Sequence, residues 1–439
     1  MKKPALMLAL ATLLLPTKLL AMDLNAGGTT LFRYQERSVQ GFDKQQLAPV
    51  TQYLSADLEK LADGNLSFHL NGWGRADLAD RSAPDDTVDG SLATGYLSYR
   101  FDKANAELKA GRFFVFEGGT VENIDGISAR SDLLKYYEGL ALSLYAGKPV
   151  KIDHVADNKG DFIAGGRLSY RVASIAEIGA SILHETGATT ASYDATTGAV
   201  TATKDYRQQV GVDIWLAPCR QAELSGRSLY DAAATEWAEH RYQLTLRPME
   251  RLSVTGDYKQ VNFAGAFAAA SNPSLFKPDA GDELTTFGAL ASYKFSDHLE
   301  LDMDYRHYDR KRKGTSDRGG AEARFTMMDG QLRSGFGYHR LGAAQGINSY
   351  HEMRGYGLYD PGTYTLSLDA IADLYDDHVY LNTDKVAYEV IASAGYRLRP
   401  ELMLSADLSA GSNPQYGDEV KGLVRLTFNY AMTTKGVGR

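Results

Sequence analysis

Residues 299–308 read Leu299-Glu-Leu-Asp-Met-Asp-Tyr-Arg-His-Tyr308. Leu299, Leu301, Met303 and Tyr305 alternate with Glu300, Asp302, Asp304 and Arg306. A helix, with its period near 3.6, cannot keep those two sets apart. A strand can, because successive side chains point to opposite faces. The same alternation recurs along the chain. Val420, Gly422, Val424, Leu426, Phe428 and Tyr430 oppose Lys421, Arg425, Thr427 and Asn429. Leu168, Tyr170 and Val172 oppose Arg167, Ser169 and Arg171. Tyr242, Leu244 and Leu246 oppose Arg241, Gln243, Thr245 and Arg247.

A soluble sandwich also alternates, so the connections have to decide. Tight turns stand at 102–105, 173–174, 217–220, 248–251, 296–298, 328–330, 360–362 and 399–401. Between them lie longer stretches near 79–89, 117–136, 186–204, 262–283, 309–316 and 376–384. Short turns on one rim and long loops on the other are the asymmetry of an outer-membrane barrel. Phe101, Tyr170, Phe295, Tyr396, Phe428 and Tyr430 gather beside the short turns, as an interfacial aromatic belt would. The expected fold is therefore all-β: a closed antiparallel transmembrane barrel of about 22 strands, within a range of 18–24, with no plug domain. That count divides 137–155 into two strands at Gly147-Lys148.

Composition agrees with this. The 439 residues carry a net charge of −8, with 43 Gly, 27 Tyr, 12 Pro and one Cys. Tyr and Gly in these numbers suit many exposed strands rather than a helical bundle. No internal run reaches the roughly 18 apolar residues of a membrane-spanning helix. The acidic balance argues against a nucleic-acid partner. Lys2 and Lys3, the apolar run Ala5–Leu15 and the break at Pro16 read as a secretory signal peptide over 1–21. The remainder, 22–439, is expected as a single barrel with a short C-terminal tail at 431–439, and with both termini periplasmic in the bacterial outer membrane. Cys219 has no partner within the chain, which excludes a disulfide scaffold.

Motifs for chemistry are absent: no G-x-S-x-G, H-E-x-x-H or P-loop occurs, and the nine histidines are scattered. The chain is expected to be no enzyme, to bind no cofactor and to hold no metal. The row Glu300, Asp302 and Asp304 could hold a cation. The same spacing also places all three on one lumen face, within reach of arginines on neighbouring strands.

One stretch stands apart: Ala110-Gly-Arg-Phe-Phe-Val-Phe-Glu-Gly-Gly-Thr-Val-Glu-Asn-Ile-Asp-Gly-Ile-Ser-Ala-Arg130. It is expected to end the fifth strand and open the third long loop. If that loop bends inward, Glu117, Glu122 and Asp125, opposite Arg112 and Arg130, narrow the lumen and set its selectivity. The remaining candidate pore-lining residues are Arg167, Arg171, Arg241, Arg247, Arg306 and Arg425. With Asp57, Glu107 and Glu389 they give a lining of both signs and no strong ion preference.

The signal peptide, the alternating strands and the position of the third loop resemble the general outer-membrane porin family across the mature chain. The run Gly111–Ile127 is also similar to the barrel components of porin–cytochrome electron conduits. The first resemblance implies a passive channel for small hydrophilic solutes or ions, surrounded by outer-membrane lipid and inserted by the barrel-assembly machinery. The second implies a structural sheath around a multihaem cytochrome.

Overall fold

The computed structural model describes residues 22–37, 45–61, 64–79, 88–133, 137–150, 159–193, 200–262, 282–343, 349–378, 384–414 and 417–434. The expected signal peptide lies outside them. In chain order the strands are β1 Met22–Arg37, β2 Gln45–Leu47, β3 Pro49–Leu61, β4 Leu66–Asp77, β5 Val88–Phe101, β6 Ala106–Glu117, β7 Thr120–Asp132 and β8 Leu140–Pro149. They continue as β9 Lys159–Val172, β10 Ala176–Tyr193, β11 Val200–Cys219, β12 Ala222–Asp231, β13 Glu236–Met249, β14 Leu252–Asn262, β15 Glu283–Lys294 and β16 Leu299–Arg310. The last are β17 Gly314–Met327, β18 Leu332–Ala343, β19 Tyr350–Tyr359, β20 Tyr364–Tyr375, β21 Val386–Arg399, β22 Leu402–Asn413 and β23 Gly417–Thr434.

The short β2 and the longer β3 make one crossing, so these 23 segments form a barrel of 22 strands. Every neighbouring pair is antiparallel. Closure is made by β1, which pairs with β23 from Met22↔Thr434 to Arg37↔Glu419 and with β3 on its other edge. A closed barrel leaves no strand edge to be satisfied by lipid.

The two faces of the wall follow the alternation. Leu168, Tyr170, Leu244, Leu246, Met303, Tyr305, Val424 and Leu426 are exposed on the outside. A monomeric soluble protein could not leave so much contiguous apolar surface in water. Arg167, Glu177, Asp213, Arg227 and Glu239 point inward and pair with one another. The first and last described residues share one rim with the short turns, including 102–105, 173–175, 250–251, 295–298, 328–331 and 360–363. Ring pairs Tyr99–Phe101, Tyr293–Phe295 and Tyr359–Tyr364 flank those turns.

Four expectations need correction. Residues 117–136 are not a long loop: Gly118 and Gly119 form a two-residue turn, with Gly118 at φ 59°, and Thr120–Asp132 is a strand. Among the described residues the stretch 137–155 holds one strand, β8 Leu140–Pro149, unbroken at Gly147-Lys148 and paired directly with β9, and the second strand expected at 149–155 falls largely outside the described residues. The two errors cancel in the count. The acids at 117, 122 and 125 made a strand look like a solvated loop. The stretch 309–316 is likewise a tight turn, because β16 runs to Arg310 and β17 starts at Gly314. Finally, β23 continues to Thr434, so residues 431–434 are strand rather than tail.

Candidate functional site: an inward-folded hairpin in the lumen

The β6–β7 hairpin belongs to the wall only in its lower half. β5 pairs with β6 from Phe101↔Ala106 up to Gly95↔Arg112 and no further. β7 pairs with β8 only from Asp132↔Ala141 to Ile124↔Pro149. Above those points β6 and β7 pair with each other alone, out to Glu117↔Thr120. The free upper part turns into the barrel.

Its seat is an apolar patch on the inner wall. Phe113, Val115 and Ile124 from the hairpin cluster with Tyr145 on β8, Ile163 on β9 and Leu183 on β10, all buried. The tip crosses further. A Cβ on Gly118 would lie 2.5 Å from the Cβ of Ser181 on β10, and one on Gly119 would lie 2.3 Å from Leu229 on β12. Only glycines allow so close an approach at this turn. The hairpin thus crosses the inner faces of β8 to β11 and reaches β12.

Polar contacts fasten it. Arg207 on β11 donates to Glu122 at 2.8 Å and to Glu185 at 2.6 Å, joining tip and wall through one guanidinium. Charge-assisted bonds of this kind are among the stronger ones. Thr120 Oγ1 and Tyr145 Oη share a hydrogen bond of 2.8 Å, and Arg227 donates to the Gly118 carbonyl at 3.4 Å. A Cβ on Gly165 would lie 2.3 Å from Tyr145 Oη, so this glycine makes room for the phenol.

The root of the hairpin is a crease. Gly111 pairs with Gly126, and Gly126 with Gly147. A Cβ would lie 2.3 Å from the Gly95 carbonyl oxygen at Gly111, and 2.2 Å from that of Ala146 at Gly126. Gly111 also has φ 127°, a backbone that side chains disfavour. Just above the crease Arg112 and Asp125 form a bidentate pair at 2.6 and 2.7 Å. Arg112 also donates to the Leu92 carbonyl at 2.9 Å, and Asn123 donates to the Ala93 carbonyl at 2.8 Å. These side chains satisfy the β5 edge that the departing hairpin leaves open.

The other face of the tip, with Phe114, Phe116 and Val121, looks into the lumen. Phe114 and Phe116 stack at 5.9 Å, and Phe116 is 69% exposed. Below it is a cavity of about 520 Å³ lined by Phe116, Glu117, Arg130, Arg167, Arg227 and Arg241, among others.

The expected site residues therefore separate into groups. Arg112 and Asp125 pair with each other at the root of the hairpin. Glu122 pairs with Arg207 rather than with Arg112 or Arg130. Glu117 and Arg130 meet at the cavity, and Arg130 stands across from Glu107 in the register. The others line the wall in ion pairs: Arg171 with Glu177, Arg241 with Glu239, Arg247 with Glu223, Arg306 with Asp257, and Arg425 with Asp407. Glu300 and Asp302 share Arg324, while Asp304 meets Arg318 and His339 at 3.0 and 2.7 Å. The acidic row is thus neutralised by neighbouring strands, and among the described residues no group is arranged to hold a metal ion.

Arg207, Glu185, Tyr145, Arg227 and Asn123 were not foreseen. A signal for the seat was present, because Tyr145, Ile163 and Leu183 are large and apolar at positions whose strand neighbours on the same face are polar or glycine.

No protein-family model matches this chain, and no curated protein does. Among solved structures it is similar to the ferric enterobactin receptor PfeA of Pseudomonas aeruginosa, with a TM-score of 0.60, 11% identity, and cover of 92% of this chain and 81% of that one. The P pilus usher PapC translocation pore gives a TM-score of 0.49 at 11% identity, over 94% of this chain and 100% of that one. OccK3 (OpdO) of Pseudomonas aeruginosa gives 0.44 at 9% identity, over 94% and 96%. At such identities the likeness to PfeA concerns the fold, which is that of the large outer-membrane β-barrels. A closed antiparallel barrel of 22 strands with an inward-folded hairpin is the class that fold and site define.

Proposed function

We propose that this chain is a channel of the bacterial outer membrane through which small hydrophilic solutes or ions pass, with the β6–β7 hairpin setting the aperture. The observation that carries this is the seating of the hairpin inside a polar lumen, fastened by Arg207, Tyr145 and the apolar cluster. A constriction acts through its width and the charges beside it. Here Glu117 and Arg130 stand at the tip cavity among wall residues that pair with each other, so selectivity between cations and anions is weak. The apolar outer face and the aromatic belt match a lipid bilayer. The short turns on the rim that also carries the first and last described residues support a periplasmic position for that rim.

The test is conductance of the purified chain in a planar bilayer. The intact protein gives defined steps, and replacing residues 114–121 by a short Gly-Ser turn enlarges them. Absence of conductance, together with co-purification of a multihaem protein from membranes, would instead establish the sheath.

A further inference from the structure

The histidines are scattered along the sequence, but the barrel brings four of them into line. His184 on β10, His240 on β13, His307 on β16 and His351 on β19 stand on the outer face. His184 continues the exposed set Ile178 and Ile182, His240 the set Leu246 and Leu244, and His307 the set Met303 and Tyr305. His351 stands two places from Met353, which pairs with exposed Tyr338. Their heights agree as well. His184, His307 and His351 lie the same number of residues from the short-turn ends of their strands, at Ala176, Leu299 and Tyr359. His240 pairs with Gln260, which lies equally far from Leu252. At a rise of about 3.3 Å per residue and a tilt of about 40°, each ring stands roughly 20 Å above the short-turn rim. That is near the top of an apolar band about 25 Å tall. By contrast, His69 and His339 face inward, to Asp57 and Asp304.

The four rings are also held in one way. Nδ1 of His184 accepts from Gln208 Nε2 at 3.1 Å. Nδ1 of His240, His307 and His351 meets Ser228 Oγ, Asp317 Oδ1 and Tyr338 Oη at 2.8, 2.8 and 2.6 Å. Each partner lies on a neighbouring strand. Phe162 and Tyr206 flank His184 at 6.3 Å, Trp237 lies 4.7 Å from His240, and Tyr338 lies 5.9 Å from His351. Among the described residues Nε2 of His184, His240 and His307 has no hydrogen-bond partner, and that of His351 approaches only Asp376, at 3.9 Å. A neutral ring whose Nδ1 accepts carries its proton on Nε2, so His184 presents a free N–H donor. The hydroxyl partners of His240 and His351 allow the same tautomer. His307 differs, because its Nδ1 donates to Asp317 and leaves Nε2 an acceptor. Basic groups stand beside the row. Arg340 pairs across the strands with His351, and exposed Lys311 and Arg312 stand with Asp309 at the turn above His307. Asp317 and Asp376 are already engaged, by His307 and Arg340.

We propose that this row is a docking line for the phosphate groups of outer-leaflet lipids, with Nε2–H of His184, His240 and His351 donating to phosphate oxygens. Position favours lipid over a dissolved anion, because the row continues the apolar outer face that the bilayer covers. Rings at that level keep an apolar flank in the acyl region and a polar edge among headgroups. Phosphate oxygens are strong acceptors, and Arg340, Lys311 and Arg312 add attraction for their charge. The inference rests on the barrel standing in a bilayer and is independent of what passes through the lumen.

The test uses the full chain with isotope-labelled histidine in vesicles, read by solid-state NMR as phosphorus dephasing of the nitrogen signals. In phosphatidylglycerol vesicles the Nε2 signals lose intensity and the Nδ1 signals lose much less. In vesicles of digalactosyl diacylglycerol, which carry no phosphate, the loss is absent, and inorganic phosphate does not restore it. Combining His184→Gln, His240→Gln and His351→Gln abolishes the loss in phosphatidylglycerol, while His69→Gln leaves it in place. Heat-modifiable migration reports that each barrel is folded, and the three single variants, each removing part of the loss, carry the test if the triple variant does not fold. No loss at Nε2, equal loss at both nitrogens, or a loss that survives the three substitutions overturns the proposal. So does a loss produced by inorganic phosphate alone, which marks an anion site rather than a lipid contact. Conductance plays no part in this readout, so a barrel that fails to conduct can still pass it.

Discussion

Two hairpins of the barrel behave differently. In β16–β17 the inner face carries Glu300, Asp302 and Asp304, held by Arg324 and Arg318, while Leu301, Met303 and Tyr305 face out. In the upper half of β6–β7 each face mixes the two kinds: Phe113, Val115 and Ile124 rest on the inner wall together with Thr120 and Glu122, and Phe114, Phe116 and Val121 share the other face with Asn123. Alternation is the signature of a wall between two solvents. Where the chain leaves that wall, the signature stops.

Substitutions can sharpen this contrast. Ile124→Ala removes a side chain with no exposed surface and should weaken the inner seat by roughly 2–5 kcal/mol. Phe114→Ala, on the lumen face, should cost far less. Chymotrypsin cleavage within 113–116 of an otherwise intact barrel reads the difference, and equal sensitivity would show that the two faces are wrongly assigned. Next in size, Leu408→Arg on the lipid face should destabilise by roughly 2–4 kcal/mol near the midplane. Leu404, which pairs with Tyr396 at the aromatic belt, should tolerate arginine at a cost of about 0–1 kcal/mol. Urea unfolding from liposomes measures both, and a reversed order would place the bilayer at a different height.

A smaller effect concerns charge. Arg324→Ala frees Glu300 and Asp302 on the lumen face, so the reversal potential in a salt gradient should move towards cation preference. An unchanged potential would mean that the permeation path avoids this side of the barrel. The smallest lies beyond the strands. Arg340 holds the Asp376 carboxyl below the usual carboxylate range, chiefly through their hydrogen bonds. Arg340→Ala should let Asp376 take up its proton at a higher pH, as isotope-edited NMR of labelled aspartate would report.

Most of the barrel was legible because it obeys one rule. The β16 stretch and the β23 stretch could each be assigned to faces from alternation alone, and the pairing of the acidic row followed from its spacing. The rest was hidden for physical reasons. A hairpin folded onto its own wall buries one face against protein, so Phe113-Phe114-Val115-Phe116 carries no polar period. Gly118 and Gly119 serve a turn that must touch Ser181 and Leu229, a requirement set by residues far along the chain. Glu122 was recognised as an inward-pointing charge. Its partner Arg207 lies 85 residues away on a strand whose neighbourhood only the closed barrel defines.

The β6–β7 tip rests inside the lumen, with β13 across the tip cavity. Spin labels at Phe116→Cys and Gln243→Cys in the Cys219→Ser background test it most directly, since both positions line the tip cavity. With the tip seated there, a short distance predominates, with strong dipolar broadening, and water-soluble agents relax the Phe116 label. No broadening, with a Phe116 label relaxed mainly by oxygen dissolved in lipid, would contradict it.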